Sequence, residues 1–194
     1  LAIDLGRWVS ATAIREFAEM RESHFTNLRM SINLHPRHLE EDRSFVSFLA
    51  ELRDHYVVLP GEIEFEITEH MAVNASYAMS ETFRQIRDLG FSLTIDDLGM
   101  GYSSLNYISD YGVHTVKIDM SLIDKIHDNY KQREIVRSVV LLAGQLNLEL
   151  VVEGVETIEQ VEALTKLGVR AFQGYYFSKP LMIEDFKAYF AEHH

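Results

Sequence analysis

The sequence predicts an α/β fold of parallel strands, a (β/α)8 barrel of the TIM type. Three observations carry that prediction. Six short runs rich in β-branched and aromatic residues alternate with longer amphipathic segments. No low-complexity stretch and no Gly/Ser/Pro-rich linker interrupts the alternation, so residues 1–194 read as one domain. Each run also carries a polar, mostly acidic, residue toward its C-terminal end.

In chain order, segment 7–21 is amphipathic and reads as a helix, and RMSINL (29–34) as the first strand. Segment 44–55 reads as helix and EIEFEIT (62–68) as strand. Ser76 is a plausible N-cap for a helix over 76–89, and Gly90 stands where that helix hands over to the strand SLTIDDL (92–98). TVKIDM (115–120) follows. A helical stripe of Ile135, Val136, Val139, Val140, Leu142, Ala143 and Leu146 then covers 135–146. ELVVEGV (149–155) is the fifth strand. Thr157, with Gln160 three residues on, forms a capping-box pattern opening a helix over 157–167, which closes at Gly168. AFQGYYF (171–177) is the sixth strand, and 184–192 the last helix. Strands separated by helices pair in parallel.

That pattern suits a doubly wound sheet or a barrel. The polar residues decide. The strand ends carry Asn33; Glu66 and Glu69; Asp96 and Asp97; Lys117 and Asp119; Glu153 and Glu156; and Gln173. In an open sheet, ligands gather at one crevice where strand order reverses. In a barrel every strand end meets at one mouth, where active sites lie. A ring drawn from every strand favours the barrel. Such a barrel typically takes about 250 residues, against 194 here. Six strands are readable in place of eight, so the first strands of the barrel are expected to be missing, at the N-terminal end.

Composition removes several function classes. With 18 Lys+Arg against 30 Asp+Glu and a formal net charge of −12, binding of long nucleic acid is not expected. The absence of Cys excludes a disulfide scaffold, thiolate zinc sites and a Cys nucleophile. No apolar run reaches the roughly 18 residues of a membrane span, and LAIDLGRWVSATAI is not a secretory leader. A cytoplasmic protein, or the cytoplasmic part of a membrane-bound signalling protein, is the expectation.

Carboxylates crowded at one mouth repel each other unless cations are present. Hard divalent ions prefer oxygen ligands, so two Mg²⁺ or Mn²⁺ ions are the natural partners. The adjacent Asp96 and Asp97 can supply a bridging and a terminal ligand to such a pair, an arrangement suited to attack on a phosphodiester. Lys117 can orient the nucleophile or neutralise charge in the transition state. Plainer readings stand beside these. A single strand-end acid is usually a cap or a solvated loop residue. Glu66 and Glu69 can pair with an Arg, and Lys117 with Asp119 or Asp97. His35 and His38 in LHPRH read as ordinary loop residues. Gly99, Gly101, Ser103 and Ser104 lack the Gly-Lys-Ser/Thr of a phosphate-binding P-loop. Trp8 and the Phe residues read as core or interface material.

Six motifs then appear in order: SINLHP, EFEITE, IDDLGMGYSSL, VKIDMSLI, VVEGVET and FQGYYFSKPL. Together they resemble the EAL domain family, bacterial phosphodiesterases acting on the second messenger cyclic di-GMP. The resemblance covers nearly the whole chain. It implies an EAL-type barrel that opens cyclic di-GMP to linear pGpG with Mg²⁺ or Mn²⁺. By position, it implies that Asn33, Glu66, Asp96, Asp97 and Glu153 are metal ligands, with Asp96 bridging. Lys117 would contact the catalytic water, and Glu153 is also a candidate for activating it. Glu69 would hold the loop after Asp97, while Asp119, Glu156 and Gln173 would lie near the ligand. A homodimer, and regulatory domains elsewhere in a longer protein, are implied in the same way.

The sequence departs from the family pattern at three places. No Glu-x-Leu with a following Arg stands ahead of LAIDLGRWV, where the family carries a metal ligand and a phosphate-contacting Arg. Leu98 and Met100 replace the usual Phe and Thr of DDFGTGYSSL, and Val152 replaces an Ala. A second reading stays open beside the enzyme: a catalytically inactive domain that binds cyclic di-GMP or a partner protein.

Overall fold

A computed structural model describes residues 1–22, 25, 28–98 and 106–193. The loop positions Gly99, Met100, Gly101, Ser103 and Ser104 lie outside the described residues. The strands are β1 (Met30–Asn33), β2 (Ile63–Thr68), β3 (Ser92–Leu98), β4 (Thr115–Ile118), β5 (Glu149–Val152) and β6 (Ala171–Phe172). Their order in the sheet is sequence order throughout. The pairs β1–β2, β2–β3 and β5–β6 are parallel. Sequence order without a reversal is the barrel arrangement and leaves no switch-point crevice.

The chain divides into two compact units, Leu1–Lys117 with Asn147–Glu149, and Ile118–Leu146 with Leu150–His194. In the first unit lie α1 (Ala2–Glu22), α2 (Pro36–Glu40), α3 (Phe45–Tyr56), α4 (Glu69–Val73), α5 (Tyr77–Asp88) and α6 (Asn106–Tyr111). Alternation along the strands sends Ile32, Phe65, Ile67, Leu93 and Ile95 to one face, and all are buried. Phe65 meets Phe91 edge-on at 5.3 Å and Phe45 at 6.5 Å. Helix α1 packs on α2, α3 and β1. Its Arg7 holds Asp42 through two hydrogen bonds of 2.7 and 2.6 Å.

The second unit holds a 3-10 turn (Met120–Leu122), α7 (Tyr130–Gln145), α8 (Ile158–Leu167) and α9 (Ile183–His193). Its core gathers Ile118, Ile123, Ile126, Val136, Val152, Val155, Leu164 and Val169. The Thr157/Gln160 capping box forms as expected, and Gly168 closes α8 in the left-handed conformation with φ 100°. Ser76 caps α5 through the Met79 N–H.

Several expectations need correction. The sixth strand is two residues long, not seven. After Phe172 the chain turns, with the Phe177 N–H donating to the Gly174 carbonyl and the Tyr176 N–H to that of Val155. β4 and β5 likewise stop at Ile118 and Val152. His38 is not a loop residue but lies within α2, buried against Phe45, while His35 stands in the connection just ahead of that helix and caps it by accepting from the Arg37 N–H. Trp8, read as core or interface material, is largely exposed on α1 and so is not core. Among the described residues no helix is long and apolar enough to cross a membrane.

Candidate active site

In the first unit, β2, β3 and β4 bring an acid pair and a lysine together. Glu66 shares a face of β2 with Glu64 and Thr68, opposite the apolar Phe65 and Ile67. Asn33, the last residue of β1, is its register partner and is exposed. Lys117 Nζ donates to Glu66 Oε1 at 2.7 Å and lies 3.9 Å from Asp96 Oδ1. Glu66 is 6% and Lys117 5% exposed. Both charges are therefore largely removed from water, where each depends on the other. The partner of Glu66 is thus a lysine, not an arginine.

Asp96 Oδ1 also accepts from the Asp97 N–H at 3.0 Å. Asp97 itself has φ 59°, the left-handed region that costs an L-residue roughly 1–2 kcal/mol. A short polar side chain tolerates that conformation better than most. Glu69 is buried at the first position of α4, whose N-cap is Thr68. Its Oε1 accepts from the Tyr107 hydroxyl at 3.5 Å, and burial together with Glu69 pushes the Tyr107 phenol well above its ordinary pKa. The loop that Glu69 was expected to hold lies outside the described residues.

The donor chemistry here fits a hard divalent ion, since Asn33, Glu66, Asp96 and Asp97 offer oxygens only. The arrangement is that of a lysine-neutralised acid pair. Among the described residues, no three His, Cys, Asp or Glu side chains stand close enough together to hold a metal.

In the second unit, Asp119, Glu153, Glu156 and Gln173 line one cavity of about 510 Å³. Asp119 caps the 3-10 turn by accepting from the Ser121 N–H at 2.9 Å. Hydrogen bonding from Ser121 holds its carboxyl below the usual range. Glu153 follows β5, with its N–H donating to the Ile118 carbonyl at 3.0 Å. The Glu156 N–H donates to Gln160 Oε1 at 2.8 Å, so the α8 cap also fixes this wall. Gly154 has φ 66°, and a Cβ there would run into the Met120 side chain. The same cavity is lined by Met120, Tyr175, Ser178, Lys179 and Pro180, which sequence reasoning had not singled out. All five stand in the motif FQGYYFSKPL or beside Asp119, so proximity to the motifs was the available signal.

The family model described as "EAL domain" matches residues 1–180. Cyclic di-GMP phosphodiesterase PdeR of Escherichia coli K12 is 31% identical over 98% of this chain, which covers 28% of that protein. The EAL domain of Mycobacterium smegmatis DcpA superposes with a TM-score of 0.91 at 35% identity, covering 99% of this chain and 86% of that one. Klebsiella pneumoniae BlrP1, solved as a manganese/cyclic di-GMP complex, gives a TM-score of 0.83 at 29% identity, covering 93% of this chain and 45% of that one. The chain spans about a quarter of the length of the first curated relatives it matches.

Proposed function

The chain belongs to the EAL domain family, and from that membership we propose that it acts as a metal-dependent phosphodiesterase, opening cyclic di-GMP to linear pGpG. The observation that carries the reading is the convergence of Glu66, Asp96 and Lys117 at the ends of three neighbouring strands. Similarity to PdeR and to the manganese/cyclic di-GMP complex of BlrP1 supports the substrate and a divalent ion.

In this reading Asn33, Glu66, Asp96 and Asp97 hold divalent ions in the first unit, and Glu153 supplies an oxygen donor in the second. Two Mg²⁺ or Mn²⁺ ions, when bound, activate a water and stabilise the attacking and leaving oxygens. Lys117 supplies a fixed positive charge where negative charge grows on the phosphate, and its burial strengthens that effect. Asp119, Glu156 and Gln173 offer acceptors and an amide for a polar ligand in their cavity. Acting as a homodimer, under regulatory domains of a longer protein, belongs to the same proposal.

The test is incubation with cyclic di-GMP and Mg²⁺ or Mn²⁺, following pGpG by chromatography. Turnover that Asp96→Asn abolishes is the expected result. Binding of cyclic di-GMP without turnover would overturn the proposal and leave the receptor reading. One observation favours that second reading: the Glu66 carboxylate is already neutralised by Lys117, and no three-acid group is gathered among the described residues.

A further inference from the structure

The interior of a (β/α)8 barrel is normally filled by layers of Val, Ile and Leu. The strands of the first unit put polar residues on the face that carries Glu66 and Lys117. Ser31 and Glu64 are register partners on it, as are Glu66 and Thr94, and Thr115 lies two residues before Lys117. Glu64 is buried, and accepts from the Ser31 hydroxyl and from Arg29 at 3.5 Å. Two carboxylate oxygens offer about four lone-pair sites, so those contacts leave acceptor capacity over.

Thr94 and Thr115 are the telling pair. They are 0% and 1% exposed, and neither hydroxyl has a hydrogen-bond partner among the described residues. Valine has the same shape and β propensity as threonine, and it avoids the cost of burying a hydroxyl. Buried polar side chains in native proteins are nearly always partnered, by protein or by ordered water. Both hydroxyls sit on a face rich in carboxylate acceptors, and Thr94 is directly beside Glu66.

We propose that this face is an internal water-binding site, in which ordered waters bond to the hydroxyls of Thr94 and Thr115 and link Thr94 to the Glu66 carboxylate. A hydroxyl that donates to one group and accepts from another can share a water with an acid acceptor, which supplies the two to four polar partners an internal water needs. The inference does not depend on catalysis, and it holds or fails whether or not cyclic di-GMP is turned over.

A crystal structure of the full chain showing ordered waters, with density within about 2.7–3.2 Å of both hydroxyl oxygens, is the first expected result. Urea unfolding is the second. Thr94→Val and Thr115→Val each lower the folding equilibrium constant about five- to tenfold, while Thr94→Ser and Thr115→Ser, which keep the hydroxyl, recover part of the loss. Val variants as stable as the parent or more so, with no density beside either hydroxyl, would overturn the proposal. So would a site coordinated by oxygens at metal distances. If a Val variant fails to fold, the density in the parent decides alone.

Discussion

The strands of the first unit have two buried faces built on opposite chemistry. One carries Ile32, Phe65, Ile67, Leu93 and Ile95. The other carries Glu64, Glu66, Thr94, Thr115 and Lys117, which are equally withdrawn from solvent. Burial alone therefore says nothing about which face stabilises the fold. The apolar face gains from area removed from water and from dispersion contacts. The polar face gains little net energy from its charges and depends on every partner being present. The first is where stability is made, and the second is where reactive groups can be held at fixed positions.

The largest expected effect comes from breaking the apolar face. Phe65→Ala removes a fully buried ring lying between Phe45 and Phe91, and a loss of about 4 kcal/mol in urea unfolding is expected. Next is the polar face. Lys117→Met leaves Glu66 buried without its cation, for a loss of about 3 kcal/mol. The double variant Lys117→Met/Glu66→Leu should recover most of that stability while showing no phosphodiesterase activity. A double variant as unstable as the single one would erase the distinction between the faces.

The apolar side also carries a titratable group. His38 is buried against Phe45, with its Nδ1 3.6 Å from Asp42. Burial lowers its pKa, and His35 and Arg7 act in the same direction, while Asp42 opposes them. The unfolded chain takes up this proton at about pH 6.5, and the folded chain only below that. Stability from His38 is therefore complete above pH 6.5 and falls as pH drops below it. Asp42 is held below the usual range by hydrogen bonding to Arg7, and adds a second loss at lower pH as it becomes protonated. Urea midpoints at pH 7.5, 6 and 5 should decline in turn, and His38→Leu should flatten the first step. The smallest effect is a gain. Val57, exposed at the C-cap of α3, has φ 52°. Val57→Gly should stabilise by about 0.5–1 kcal/mol, read as a rise in melting temperature.

Much of this was legible in the sequence, because long periodic segments and β-branched runs state their own period. The starts of β4, β5 and β6 fall where the pattern put them. The misses have physical causes. α2, α4 and α6 are five or six residues long, too short to show a helical period, although Pro36 after His35 is a start signal for α2. AFQGYYF reads as strand by propensity, but Gly174 in its middle marks the turn. The strand-end acids were legible one by one. The pairing of Lys117 with Glu66 was not, since it depends on how two strands far apart in sequence are staggered. The polar interior was written plainly in the alternation of Glu64-Phe65-Glu66 and Ser92-Leu93-Thr94. Alternation alone does not say whether a polar strand face is enclosed or solvated.

Gly174 is held in place by backbone packing. Its α-carbon lies so close to the Val155 backbone that any β-carbon would overlap main-chain atoms, which cannot rotate away. In a saturation mutagenesis screen scored on activity, position 174 should be as intolerant as Asp96. The two would be separated only by abundance: variants at 174 would vanish from the soluble fraction, while Asp96→Asn would remain as intact, silent protein. A motif letter can thus be invariant for the sake of the chain that carries it and not for the ligand beside it.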